Sequence, residues 1–168
     1  MLDANTFDFM YDKQSHLVPK LKALVSSNKL SFYITHIQCD EIDKMESSPK
    51  RDGIKNIIKL INVQIIPTSN AVIGIDPPSK HGFIGSRIDM AKIVSDNDAN
   101  VLEKLQKTTS NPMGNNADLS ILFTAVKENL DYLVTNDIKH FKKLLKEISK
   151  YIPNTLEIKP NNSLLTDF

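Results

Sequence analysis

The chain has 168 residues, of which 40% are hydrophobic and 24% charged, and its 21 basic and 20 acidic side chains leave a formal charge of +1. That length suits one domain with a real core. The near-neutral balance excludes a global electrostatic pull on nucleic acid, so any such binding must use a local patch. A single cysteine, Cys39, excludes a disulfide framework and a cysteine-based zinc site. The opening MLDANTFDFM has no basic residue and does not read as a signal peptide. No apolar run approaches the ~18 residues of a membrane span. The expected compartment is the cytoplasm.

Met1, Leu2 and Asp3 read as the end of a short strand, followed by a helix capped at Asn5 or Thr6. Leu17, Val18, Leu21, Leu24 and Val25 repeat at helical spacing, with Ser15 at the head, Pro19 early and Asn28 closing. Residues 30–34 are β-rich. Thr35 then caps a helix carrying Ile37, Ile42 and Met45, with Glu41 on its inner face and Asp40 pointing away. Pro49 breaks the pattern, and Asp52 and Gly53 open a helix with Ile54, Ile57, Ile58 and Ile61 on one face. Residues 63–66 read as a third strand and 67–85 as an irregular loop, long enough to be functional or mobile. Residues 88–94 and 99–105 read as helices, the second capped near Asp96 or Asn97. The run from Asn111 to Gly114 is another breaker. Asp118 then stands in the first turn of an apolar helix with Ile121, Leu122, Ala125 and Val126. A buried strand at 131–134, a helix with Ile138, Phe141, Leu144, Leu145 and Ile148, a last strand at 156–158 and a tail complete the chain.

Short apolar strands alternating with amphipathic helices predict an α/β fold, a three-layer α/β/α arrangement around a central, mostly parallel sheet. Residues 1–168 form one domain in this reading, with a loop and helical insertion at about 70–105. Sites in such sheets lie at the carboxyl ends of strands. Asp3 and Asp137 follow strand ends, and Asp118 sits where a helix dipole favours an anion, so three acids are expected at one edge. Carboxylates gathered in one pocket repel unless a cation neutralises them, and oxygen ligands suit Mg²⁺ or Mn²⁺. The four histidines, His16, His36, His81 and His140, show no ligand spacing such as HExxH.

Leu2-Asp3-Ala4-Asn5, the segment from Thr35 to Ile42, Ala117-Asp118-Leu119-Ser120-Ile121 and Leu133-Val134-Thr135-Asn136-Asp137 resemble the four acidic motifs of PIN domains, metal-dependent nucleases of flap-nuclease-like fold. The resemblance covers nearly the whole chain, down to Leu156-Glu157-Ile158-Lys159-Pro160, which is similar to the family's final strand. It implies that Asp3, Glu41, Asp118 and Asp137 hold one or two Mg²⁺ or Mn²⁺ ions, with Asn5 and Thr135 in support. The chain departs from the pattern in three places. Only two residues precede Asp3, Phe141 falls one position later than the family's aromatic with His140 in its slot, and 70–105 is longer than in minimal toxin-like members.

The implied activity is endoribonucleolytic: hydrolysis of phosphodiester bonds in single-stranded or structured RNA by a metal-activated water. The implied setting is a toxin partnered by a small antitoxin, or an RNA-processing enzyme, and family members often form homodimers, which exposed Ile and Leu on the Ile54 to Ile61 helix would suit, though core packing explains them as well. Lys139, Lys142, Lys143 and Lys146, with Arg87 and Lys92, are either solvated or phosphate contacts. Two other readings stand beside this one: a PIN-like module that binds RNA or protein without cutting, and a phosphoaspartate receiver, which lacks a recognisable lysine after a late strand and the paired early acids.

Overall fold

The computed structural model describes residues 1–71, 91–93, 95–108 and 112–167. Its order is α1 (Ala4–Lys13), α2 (Leu17–Ser26), β1 (Tyr33–Ile34), α3 (His36–Asp43), α4 (Ser48–Leu60), β2 (Gln64–Ile65), β3 (Thr68–Ala71), β4 (Ala91–Ile93), α5 (Asp96–Thr108), α6 (Pro112–Lys127), β5 (Tyr132–Val134), α7 (Ile138–Ile148), β6 (Glu157–Lys159) and α8 (Ser163–Thr166). The expected three-layer α/β/α fold with a central sheet is not what forms. Among the described residues the chain is mostly helical, and its short strands pair only two by two: β1 with β2 and β3 with β4, both parallel, and β5 with β6.

The reason lies in the helix ends. Asn28, Asn62 and Asn129 adopt φ of 56°, 50° and 52°, the left-handed conformation that asparagine tolerates better than most residues. Each closes a helix by two backbone bonds. Asn28 N–H donates to Val25 O and Lys29 N–H to Leu24 O, and the same pair recurs at Asn62 and Val63 and at Asn129 and Leu130. The turn after α2 and the cap at Thr35 leave few residues between them, so the 30–34 strand shrinks to Tyr33 and Ile34. Met1 to Asp3 contribute only one parallel bridge, Leu2 with Val134, fastened by Leu2 N–H to Tyr33 O at 2.9 Å and Asp3 N–H to Val134 O at 3.0 Å.

Several element starts also differ. Asp3 itself, not Asn5 or Thr6, caps α1. Helix α4 begins at Ser48 behind the cap Ser47, so Pro49 sits in its first turn, where a missing N–H costs nothing. Pro112 likewise opens α6, which places Asp118 well inside the helix and removes the dipole argument for it. Thr68–Ala71 is a strand rather than loop, and Ala91–Ile93 a strand rather than part of a helix. The rest of the expected 67–85 loop and 88–94 helix, and Arg87 with them, lies outside the described residues.

The chain divides into two compact units. The first comprises Met1–Ile66, Tyr132–Ile138 and Ile158–Phe168. Its core gathers Leu2, Phe7, Met10, Leu21, Ile34, Ile42, Ile54, Ile61, Val134 and Leu164, all essentially inaccessible to water. Ile54, Ile57 and Ile61 are committed to this core, so the α4 face expected for a homodimer is already covered within the unit. Gly53 lies where α4 meets α1: a Cβ there would stand 2.1 Å from Tyr11 Cε2. The second unit comprises Pro67–Asp131 and Lys139–Glu157. All of residues 119–126 in α6 are buried, as a helix apolar on every side must be. Thr124 Oγ1 accepts from Ser69 N–H at 2.9 Å and so ties α6 to β3. Asp98 of α5 clamps α6 through Lys127, whose Nζ lies 2.9 Å from Asp98 Oδ2. No helix among the described residues is long and apolar enough to cross a membrane.

Candidate functional site

The first unit builds its site around Asp3. The residue is buried, with 7% of its surface accessible, because it must serve as the α1 cap directly after the bridge at Leu2. Ala4 N–H donates to Oδ1 at 2.8 Å, while Asn5 Nδ2 and Thr135 Oγ1 each donate to Oδ2 at 2.6 Å. The Thr135 hydroxyl also accepts from Asp137 N–H at 3.0 Å and from Asn5 Nδ2 at 3.2 Å. One buried hydroxyl therefore joins the two acids of the first and last motifs. Asn5 Oδ1 accepts from Asn136 N–H at 3.0 Å and fixes the same turn from the other side.

Burial pushes the Asp3 carboxyl above its usual range, the hydrogen bonds from Thr135, Ala4 and Asn5 pull it back, and the like charge of Asp137 pushes it up again. The groups acting on this buried acid among the described residues are thus neutral donors and another carboxylate. That is the electrostatic situation a bound cation relieves.

Glu41 lies on α3, whose placement is set by a capping box. Thr35 caps the helix, and Gln38 Oε1 accepts from Thr35 N–H at 2.7 Å. Gln38 Nε2 then donates to Leu2 O at 3.1 Å, fastening α3 to the residue before Asp3. Glu41 is one turn further along. It is exposed and Asp40 half-buried, the reverse of the expected faces. Asp118 belongs to the second unit and lies 3.1 Å from His140 Nε2 through its Oδ2, a pairing the sequence reading did not contain. Lys139 and Lys142 are exposed on α7. Among the described residues no three or more acidic, histidine or cysteine side chains stand within reach of one ion. The geometry the first unit offers is that of two acids, Asp3 and Asp137.

Two residues that the sequence reading missed complete the Asp3 setting. Asn161, 1% accessible, falls in the stretch that reads as a tail, and Thr6 reads only as a candidate cap. Thr6 Oγ1 lies 2.8 Å from Asn161 Oδ1 and 2.9 Å from Val134 O, so its one hydrogen serves one of two acceptors. Asn161 Nδ2 reaches Asn5 O at 3.3 Å and Asn5 Oδ1 at 3.4 Å. No periodicity marks either residue; only their polarity beside buried neighbours hinted at them.

The Asp3 and Asp137 carboxylates are oxygen donors of the kind a hard divalent cation takes, since Mg²⁺ is commonly held through one or two carboxylates while keeping several waters. Thr135 Oγ1, with its hydrogen and both lone pairs already bonded, orients them rather than binding an ion. Comparison with protein-family models, curated proteins and solved structures gives no match.

Proposed function

We propose that the protein is a Mg²⁺- or Mn²⁺-dependent ribonuclease, with Asp3 and Asp137 as the carboxylates that hold the ion in the first unit. The observation that carries the proposal is the buried Asp3 carboxylate, bonded to Thr135 and Asn5 and facing the like charge of Asp137. The similarity of the four acidic segments to PIN-domain motifs supports the same chemistry. An ion bound there supplies polarisation of a phosphoryl oxygen and activation of water.

The chain's own residues prepare for this. Thr135 and Asn5 hold Asp3 in one rotamer and leave its ionised form usable despite burial. Asp137, exposed beside the turn, presents its carboxylate to solvent and to an incoming strand. Glu41 and Asp118, the latter paired with His140, are further acids whose contribution mutation reads out separately. The reading places the protein in the cytoplasm, acting on single-stranded or looped RNA, as the toxin of a pair with a small antitoxin or as an RNA-processing enzyme.

The test is cleavage of a labelled RNA with Mg²⁺ or Mn²⁺. The wild type is expected to cut, Asp3→Asn and Asp137→Asn to lower the rate by orders of magnitude, and EDTA to abolish it. Equal cleavage by wild type and variants, or cleavage that survives EDTA, would overturn the proposal.

A further inference from the structure

Helix α7 turns three large apolar residues, Phe141, Leu144 and Ile148, into the interior. Its opposite side carries Lys139, Lys142, Lys143 and Lys146, all exposed. Their spacing of three, one and three residues, with 139 and 143 and also 142 and 146 four apart, puts them on one side of the helix, with a rise of ~10.5 Å from first to last. Several lysines elsewhere are matched: Lys50 with Asp8 and Asp12, Lys55 with Asp43, Lys92 with Glu128, Lys107 with Glu103, Lys127 with Asp98 and Lys159 with Asp167. Lys13, Lys20, Lys22, Lys29, Lys44 and Lys59 are exposed as the α7 four are, but they do not line up four on one helix face. On α7 the nearest acid in sequence, Glu147, is taken by Lys150. None of the four stripe lysines has an ion-pair partner among the described residues.

Four like charges on adjacent turns repel one another and cost stability in the isolated chain. They are relieved by a polyanion with matching linear charge. A membrane surface does not fit, because the apolar residues a surface-lying helix would insert are buried beneath the stripe. Lysine ammoniums are point charges on flexible stems that pair with carboxylate or phosphate alike, so the choice of a nucleic acid over an acidic protein follows the nuclease reading, and polyglutamate stands for the acidic protein in the experiment. A phosphate backbone suits such charges. A single strand is a flexible line of phosphates, so the four lysines can neutralise up to four of them.

We propose that this lysine face of α7 is a docking track for the phosphate backbone of a single-stranded nucleic acid. The track deepens the nuclease reading and rests on it for the choice of a nucleic acid as occupant and for what happens to the bound strand. Binding through four phosphates gives a log–log salt slope of about −2.8 for a single strand, which weakens binding roughly 50-fold between 50 and 200 mM salt.

The experiment is fluorescence anisotropy of a labelled 12-nucleotide oligouridine in EDTA, where no cleavage is needed. Wild type is compared with Lys139→Gln/Lys142→Gln/Lys143→Gln/Lys146→Gln and with a control, Lys20→Gln/Lys22→Gln, on the exposed side of α2. The expected result is salt-sensitive binding by wild type and control, and a loss of at least tenfold with a flattened salt slope in the α7 variant. Unchanged binding in the α7 variant, no binding by wild type at 50 mM salt, or equally tight binding to phosphatidylserine vesicles or polyglutamate would overturn the track. Binding in EDTA without cleavage in Mn²⁺ supports the track and removes the nuclease reading; cleavage with an unaffected α7 variant does the reverse.

Discussion

Replacing Thr135 with valine tests the coupling at the Asp3 site most selectively, because the two side chains have nearly the same shape and the position is fully buried. The variant loses a 2.6 Å bond to the ionised Asp3 carboxylate and leaves Asp137 N–H without its 3.0 Å acceptor. A hydrogen bond to a charged group contributes about 1.5–3 kcal/mol and an orphaned amide adds to the loss, so the expected cost at pH 7 is about 2–3 kcal/mol. With an unfolding entropy of roughly 0.35 kcal/mol per kelvin for 168 residues, that is a fall in Tm of about 6–9 °C. The cost depends on pH in a known direction. Burial already raises Asp3 and Thr135 opposes that rise, so valine pushes the carboxyl further up. The wild-type advantage is therefore present where Asp3 is ionised and shrinks as pH falls and the acid protonates. Urea denaturation at pH 7 and near pH 3.5 measures this, with Thr135→Ser as the variant that restores the hydroxyl. A difference below about 0.5 kcal/mol at pH 7, or one that does not change with pH, would refute the coupling.

Asp3 itself should show the opposite overall sign. Its carboxyl lies above the unfolded value, so its contribution to stability is complete below the unfolded pKa and is lost as pH rises through the raised folded pKa; saturating Mn²⁺ at neutral pH should recover it as a rise in Tm that Asp3→Asn does not show. Asn161→Ala should cost about 1–3 kcal/mol by leaving Thr6 and Asn5 less well bonded, and a loss below about 0.5 kcal/mol would remove it from the site's support. Gly53→Ala should destabilise through the Tyr11 ring, yet stabilise by about 1 kcal/mol in a Tyr11→Ala background, where only helix propensity remains; the same sign in both backgrounds would contradict the contact. Asn129→Ala should cost about 1–2 kcal/mol, because alanine resists the 52° φ, with Asn129→Gly near neutral by denaturant titration.

The helices with a clear apolar stripe were legible in the sequence: α2, α5 and α7 stand close to their expected ranges, and Thr35 caps α3 as its residue type suggests. The α6 start was not, since Asn111 and Pro112 read as a stop while proline is equally at home in the first turn of a helix. Strand β3 was hidden by its polar residues Thr68, Ser69 and Asn70. The central sheet failed for a different reason. Alternation of apolar runs shows that strands exist, but not how many residues the left-handed asparagine turns and helix caps take from each one. At the site, the spacing Asp3–Asn5 and Thr135–Asp137 was readable because each pair is local. The bonds that join them run between residues 130 or more positions apart. Asn161 and the His140–Asp118 approach are likewise products of tertiary packing, which no local pattern encodes.

Crystals grown with Mn²⁺ and measured at the manganese absorption edge test the central claim most directly. An anomalous peak within coordinating distance of the Asp3 and Asp137 carboxylates, absent from Asp3→Asn crystals, is the expected result. A saturated crystal with no peak there, or with manganese only beside Asp118 and His140, would contradict it.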